Sequence, residues 1–534
     1  MSPDRARAKR LLTACLLLVC VCRLAPVQTN AQSNAQTNTL TNAQGDARND
    51  ARGVALLARV EKSVEEGRIE EVEKTLLDYA VAHPKDAKAL DLLGRVRYRQ
   101  GRLEEARALY GRVLTLDPTL TKTRINLGRL MYDSGQREEA RRLLVEVARI
   151  PSADADIRLS LAKALLLVGE YRTALAVADR LPVKTKSTEA LPVIAAIYLA
   201  LNERQTLSAL IPSMKRASAS IPTVAVQCAE VLRDAGMPEQ AVNLLRSALG
   251  AAPNNADVLL MLGRLETEAR DFAQARRHLE RAAALDARSA DALSALAALE
   301  SAEGNPSAAL ASLERARVLA PDSPTLLAQF VLTAMRANRP RAASDAAAEL
   351  LKLKPDEPEF LYLFGAAALQ SGNLASAQKA LERYTAERPE DSRGCLALGI
   401  TFAAGRERSE AARAQFEKCL ALDAANVEAK YQLALVFKSQ GETAKAIPLL
   451  EDVAARAPRH AAALRDLGAL YLQTNSDARA RAALERAVAL DAEDAETHFQ
   501  LSRLYSRAGE SALAERHLAL FQKLKSAKEG GGVP

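Results

Sequence analysis

The five histidines, His83, His278, His460, His498 and His517, are the first side chains to test for chemistry, because imidazole both ligates metals and titrates near neutrality. None stands at HExxH spacing or pairs with a Cys or carboxylate at metal-ligand spacing. His83 and His460 fall in or beside helix-ending turns, and His278 falls on a helix surface. Acidic pairs such as Glu104-Glu105 lie at helix starts, where they favour the N-terminal dipole. Paired-carboxylate catalysis would need burial to separate their pKa values, and nothing in the pattern calls for it. There is no GxSxG, no Walker loop and no GxGxxG. The expectation is a chain that is not an enzyme and holds no cofactor and no metal.

The cysteines point the same way. Cys15, Cys20 and Cys22 lie near the N-terminus, which leaves Cys228, Cys395 and Cys419, too few and too scattered for a disulfide framework. All three sit at apolar helix positions, as buried free thiols do. Cys395 and Cys419 fall on two antiparallel helices of one hairpin, so a disulfide between them is the alternative.

The elements that carry these residues are helices. Hydrophobic residues make up 49% of the 534, yet aromatics are 4% and Trp is absent, so the core is built from Ala, Leu and Val. Such a mix is rich in helix formers, and the period-2 alternation of strands is missing. The class is all-α. Pro84 and Pro118 are 34 residues apart, and Pro321, Pro355 and Pro389 keep the same step. A fixed period of that length means a stacked array. Within residues 87–120, Leu90, Leu93 and Val96 share a face of a first helix. Gly101-Arg102 turns the chain; Ala106, Tyr110 and Val113 share a face of a second; Asp117-Pro118 ends it. Gly94 and Ala106 are small where the two helices must cross closely.

The ends differ from the body. MSPDRARAKR followed by LLTACLLLVCVC has the basic and short apolar regions of a secretory signal, with cleavage placed after Ala31. A lipoprotein attached at Cys20 or Cys22, or an uncleaved anchor, are the alternatives. Residues 1–31 hold five cations against Asp4, a net +4 of the chain's +7, so the remainder carries only +3. That balance, with Arg and Glu alternating along helix faces, is a solvated exterior and gives no reason to expect nucleic acid. Residues 32–52 are rich in Asn, Gln and Thr and read as a disordered linker. The array then runs over 53–521, and 522–534 is a flexible tail.

The pattern of small residue, large apolar residue, Ala, large apolar residue and Pro resembles the tetratricopeptide repeat family. Gly128/Ala140/Leu144, Gly365/Ala377/Leu381/Pro389, Ala434/Ala446/Leu450/Pro458 and Gly468/Tyr471/Ala480/Leu484 carry it. The register holds for about 14 units, with no Trp at position 4 anywhere. The resemblance implies a right-handed α-solenoid, a superhelix of stacked helix hairpins. Residues 154–221 match worst: Leu207 replaces a small residue, and Pro182, Pro192 and Pro212 interrupt helices, so irregular stacking and a flexible joint are expected there. Gly405-Arg406-Glu407-Arg408-Ser409 makes one turn a residue longer.

In the family the first helix of each unit lines the concave groove at positions 2, 5, 9, 12 and 13. Mapped onto this chain, early units contribute a basic strip of Lys88, Arg95, Arg99, Lys122, Arg129 and Lys163. Units from 324 to 426 contribute Leu332, Met335, Tyr362, Ala366, Leu369, Leu396 and Ile400, which are apolar. The last units contribute Arg465, Phe499, Arg503 and Arg507. The strip reads either as solvated cations or as a dock for an acidic peptide or anionic glycan, and the apolar stretch either as core or as a peptide site. The Lys/Asn clamp that some relatives use for C-terminal carboxylates is absent: Asp91/Arg95 and Ile125/Arg129 stand in its places. The resemblance implies a non-enzymatic scaffold that binds a protein or peptide in its groove, and the signal pattern implies a periplasmic or secreted location with no membrane span in the mature chain. An accessory to exopolysaccharide export or envelope assembly, guiding an anionic polymer, is the alternative.

Overall fold

A computed structural model describes residues 42–65, 68–405 and 409–530, and no strand occurs among them. The chain divides into two compact units, Met1–Ala287 and Arg288–Pro534, each an all-α solenoid of stacked helix hairpins. Among the described residues the first unit opens with α1 (Asn42–Glu65), α2 (Ile69–Ala82), α3 (Ala87–Arg99), α4 (Leu103–Leu116) and α5 (Thr121–Asp133).

The hairpin follows from local chemistry. Gly101 ends α3 with φ at +75°, where its amide bonds Tyr98 O (3.0 Å) and that of Arg102 bonds Arg97 O (2.9 Å). These are the bonds of a left-handed helix cap, open to glycine because it lacks a Cβ. The same conformation recurs one and two periods on at Gly135 and Gly169, and Asn202, Asn338 and Asn475 take it elsewhere. Arg270 takes it too, at φ 61°. At the other end of the hairpin, the Asp86 side chain accepts from Ala89 N and starts α3.

The small residue of each first helix lets its partner's large side chain lie against bare backbone. A Cβ on Gly94 would sit 2.6 Å from the Tyr110 ring, and one on Gly468 2.5 Å from Leu484 Cγ. The sequence paired Gly94 with Ala106; the structure opposes it to Tyr110, which is fully buried. Leu90, Leu93, Val96, Ala106 and Val113 are buried with it.

After their first helix, Ala155–Leu167, residues 154–221 depart from the 13- and 14-residue helices that prevail elsewhere. The helices that follow shrink to Tyr171–Ala178, Val183–Lys186, Leu191–Ala200, Arg204–Ala209 and Ile211–Ser218. Pro192 and Pro212 stand in the first turns of two of them, where a missing N–H costs nothing.

Two boundaries move. Helix α1 begins at Asn42, inside the span expected as a linker, and the last helix, Ser511–Gly530, runs into the expected tail. Composition judges whether a segment can bury a core; it misses that helix propagates outward from a packed turn without a new nucleus. Residues 1–31, expected to be a signal segment, residues 32–41 and the turn residues 406–408 lie outside the described residues. Among the described residues no helix is long and apolar enough to cross a membrane.

Candidate interaction faces

In the first unit, the basic strip is organised around an acid. Glu61 of α1 stands at position 9 of the first repeat and takes Lys88 Nζ at 3.2 Å, Arg95 Nη1 at 3.5 Å and Lys122 Nζ at 2.9 Å. Lys88 and Arg95 come from α3 and Lys122 from α5, so three successive repeats meet at one carboxylate. Partial burial would raise its pKa, but the ammonium groups of Lys122 and Lys88 outweigh burial and bring it to about 2. Beneath them, buried Asp91 accepts from Thr123 Oγ1 at 2.7 Å; burial pushes its carboxyl above the ordinary range. Arg129 is half-buried, in the electrostatic neighbourhood of Tyr98 and Tyr110. Arg99 donates to Val64 O, and Lys163 is exposed on helix Ala155–Leu167. A strip read as uniformly cationic is thus a set of cations with an internal counter-ion. The sequence carried Glu61 at the same register position; counting only cations passed over it.

In the second unit, residues of three first helices surround one depression of about 270 Å³. Met335 comes from helix Pro324–Arg336; Tyr362, Ala366 and Leu369 from Pro358–Gln370; Leu396 and Ile400 from Ser392–Ala404. Leu332 lies on the same helix as Met335 and is 51% exposed. Three residues the sequence reading did not select, Gln370, Arg393 and Ala397, join the lining. The Arg393 guanidinium lies 4.8 Å over the Tyr362 ring, whose other neighbour is the Tyr384 ring at 5.3 Å. Glu359 holds Arg393 through two bonds of 3.0 Å, and Asp391 accepts from it at 2.8 Å. A cation so held is a fixed wall. Position 2 of its helix was the signal, masked because an Arg breaks an apolar run.

The C-terminal candidates are tied up within the fold. Arg465 pairs with Asp466 (3.2 Å) and Asp494 (3.3 Å). Phe499 packs against Phe521 of the last helix, ring centroids 5.1 Å apart, and Arg503 stacks 5.9 Å over Phe499. Arg507 donates to Leu472 O at 2.9 Å.

Three of the histidines and two of the cysteines make contacts within the fold. His83 stacks on Tyr79, His278 bonds buried Glu266 at 2.6 Å, and His460 Nδ1 caps a helix by accepting from Ala463 N. Cys395 and Cys419 are free, and both thiols donate to Ser392 O, at 3.2 and 3.4 Å. Burial pushes the Cys419 thiol up to about 12, which keeps it protonated and unreactive.

Three tetratricopeptide-repeat profiles match the chain: one over 97–151, 232–299, 334–394 and 437–498, a second over 64–120 and a third over 155–180. No curated protein matches. Among solved structures, the chain is similar to the anaphase-promoting-complex assembly Cut9-Hcn1, at 14% identity over 86% of this chain and 98% of that one, TM-score 0.40. Yeast Tom70 is similar at 16% identity over 80% and 97%, TM-score 0.36. The MamA protein is similar at 19% identity over 33% and 96%, TM-score 0.29.

Proposed function

The chain belongs to the tetratricopeptide-repeat family, and from that premise we propose that it is an exported scaffold that binds a peptide segment of another protein on its first-helix faces. The observation that carries this reading is the depression lined by Met335, Tyr362, Leu369 and Ile400. Apolar side chains gathered on a repeat surface and flanked by a fixed Arg393 match what an interface core needs: an apolar floor with a polar rim. Peptide side chains entering there would displace water from Tyr362 and Leu369, while Gln370 and Arg393 border them.

Export rests on residues 1–31, whose basic and apolar segments read as a signal. N-terminal sequencing of the protein from its native cells should begin at Gln32. An anionic polymer is the weaker reading, because three cations of its presumptive track already share Glu61. The test is capture from native extracts with the wild type and with Leu369→Glu/Ile400→Glu in parallel. A partner identified by mass spectrometry should be held by the first and lost by the second. Recovery of the same proteins by both would remove the depression from the reading.

A further inference from the structure

The hairpin of helices Ser392–Ala404 and Ser409–Leu422 carries two buried cysteines in its seam. We propose that Cys395 and Cys419 are a disulfide site, oxidised as the chain folds, and that the bond locks the hairpin which supplies Arg393, Leu396 and Ile400 to the depression. The bond goes beyond the scaffold role and takes from it only the oxidising compartment that export provides.

Three observations bring the thiols together. Both donate to one acceptor, Ser392 O, at 3.2 and 3.4 Å, and they lie within hydrogen-bonding reach of each other. They share one small buried core with Ala429. Their register is a packing position in other repeats as well. The fourth residue of a first helix and the eleventh of its partner are Leu90 and Val113, Leu293 and Ala316, or Leu464 and Ala487, each pair buried in a common cluster. In this hairpin both are cysteine.

The turn of the same hairpin closes differently from others. Gly405 ends the first helix in extended backbone, φ −88° and ψ 111°, where Gly101, Gly135 and Gly372 hold left-handed caps. Cys395 and Cys419 lie at the end of the hairpin away from that turn, so a bond between them fixes the opposite end and restricts the unfolded chain. Oxidation needs an external disulfide. One cysteine thiolate attacks its S–S bond, forms a mixed disulfide and releases a thiol; the second thiolate attacks the mixed disulfide, closes the Cys395–Cys419 bond and releases the other thiol. Two protein sulfurs are oxidised, and the reagent is reduced to two thiols that take up the two protons. Inside the folded hairpin both thiols are shielded from solvent, so exchange precedes closure of the hairpin, and the finished bond is shielded from reductants in turn.

The test refolds the full chain from urea in a mixture of oxidised and reduced glutathione, then alkylates it and maps its peptides without reduction. A peptide pair joined through Cys395 and Cys419 is expected. The melting temperature should exceed that of the chain refolded in dithiothreitol by about 5 °C. Cys419→Ala, which places there the residue type of Ala316 and Ala487, should fold and melt alike in both buffers. The folded, reduced chain held in the same glutathione mixture should keep both thiols, and their loss overturns the order of oxidation and burial. Glutathione adducts alone, or links to Cys15, Cys20, Cys22 or Cys228 in place of the joined pair, overturn the disulfide site. A joined pair with an unchanged melting temperature overturns the lock. Protein from native cells separates this inference from export. An N-terminus at Gln32 with both thiols reduced overturns the disulfide and leaves export standing; an uncleaved N-terminus with the pair joined removes signal cleavage and keeps the bond.

Discussion

The side-chain amide of Gln370 donates to the carbonyl of Met335, 3.0 Å away, and ties the end of one first helix to the end of the one before it. Arg99 to Val64, Arg336 to Ser301 and Arg507 to Leu472 repeat the contact, each across 35 residues. Helix C-termini leave carbonyls without partners. Position 13 supplies the donor from the next repeat, so side chains that the groove map assigns to ligand instead staple neighbouring hairpins.

Arg336→Met should therefore lower stability by about 1 kcal/mol, the net worth of one such bond. Partner capture through the Leu369 depression should be unaffected. Urea denaturation measures the first quantity; an unchanged midpoint would show that the staple contributes nothing in solution.

Gly468→Leu should cost about 1–3 kcal/mol, since its Cβ alone would lie 2.5 Å from Leu484 Cγ in a packed hairpin. Gly111→Ala is the internal control. Gly111 sits in α4 with no atom near the place of a Cβ, so alanine should gain up to about 1 kcal/mol from helix propensity. Melting curves of opposite sign check the pair.

Arg270→Gly should stabilise by about 1 kcal/mol. The residue is exposed and holds the left-handed conformation at φ 61°, which costs an L-residue with a Cβ roughly that much. A lower melting temperature for the variant would mean that the arginine side chain makes a contact outweighing its strain.

The last hairpin should weaken in mild acid. His498 Nε2 donates to Ala492 O at 3.0 Å, which leaves its Nδ1 to accept from His517 Nδ1–H at 2.9 Å. Burial, His498 and Arg516 all lower the His517 pKa below 6.5, while Tyr505 stacks on the ring and its hydroxyl donates a hydrogen bond to Glu485 at 2.9 Å. The folded chain then binds fewer protons than the unfolded one, so this contribution is complete above about pH 6.5 and is lost as pH falls below it. Glu61 acts in a separate window: its folded value of about 2 lies below 4.5, so its contribution persists down to about pH 4.5 and fades only below. His517→Asn should flatten the melting temperature between pH 7.5 and 5.5 relative to the wild type; equal slopes would remove the pair as the cause.

The thirty-four-residue beat, the all-helical class and the identity of the close-packed positions were legible without coordinates, because each depends on contacts within a hairpin. Gly94 must be small because Tyr110, sixteen residues on, covers it. Charge was different. Whether Lys122 is a free cation or a partner of Glu61 depends on how successive repeats stack, and a residue 61 positions away enters no local pattern. The same holds for Phe499, which register assigns to an open groove and Phe521 covers. Hairpin packing acts at short sequence separation and leaves a period in the chain; pairing across repeats is set by where the stack carries long side chains, and only the tertiary structure decides it.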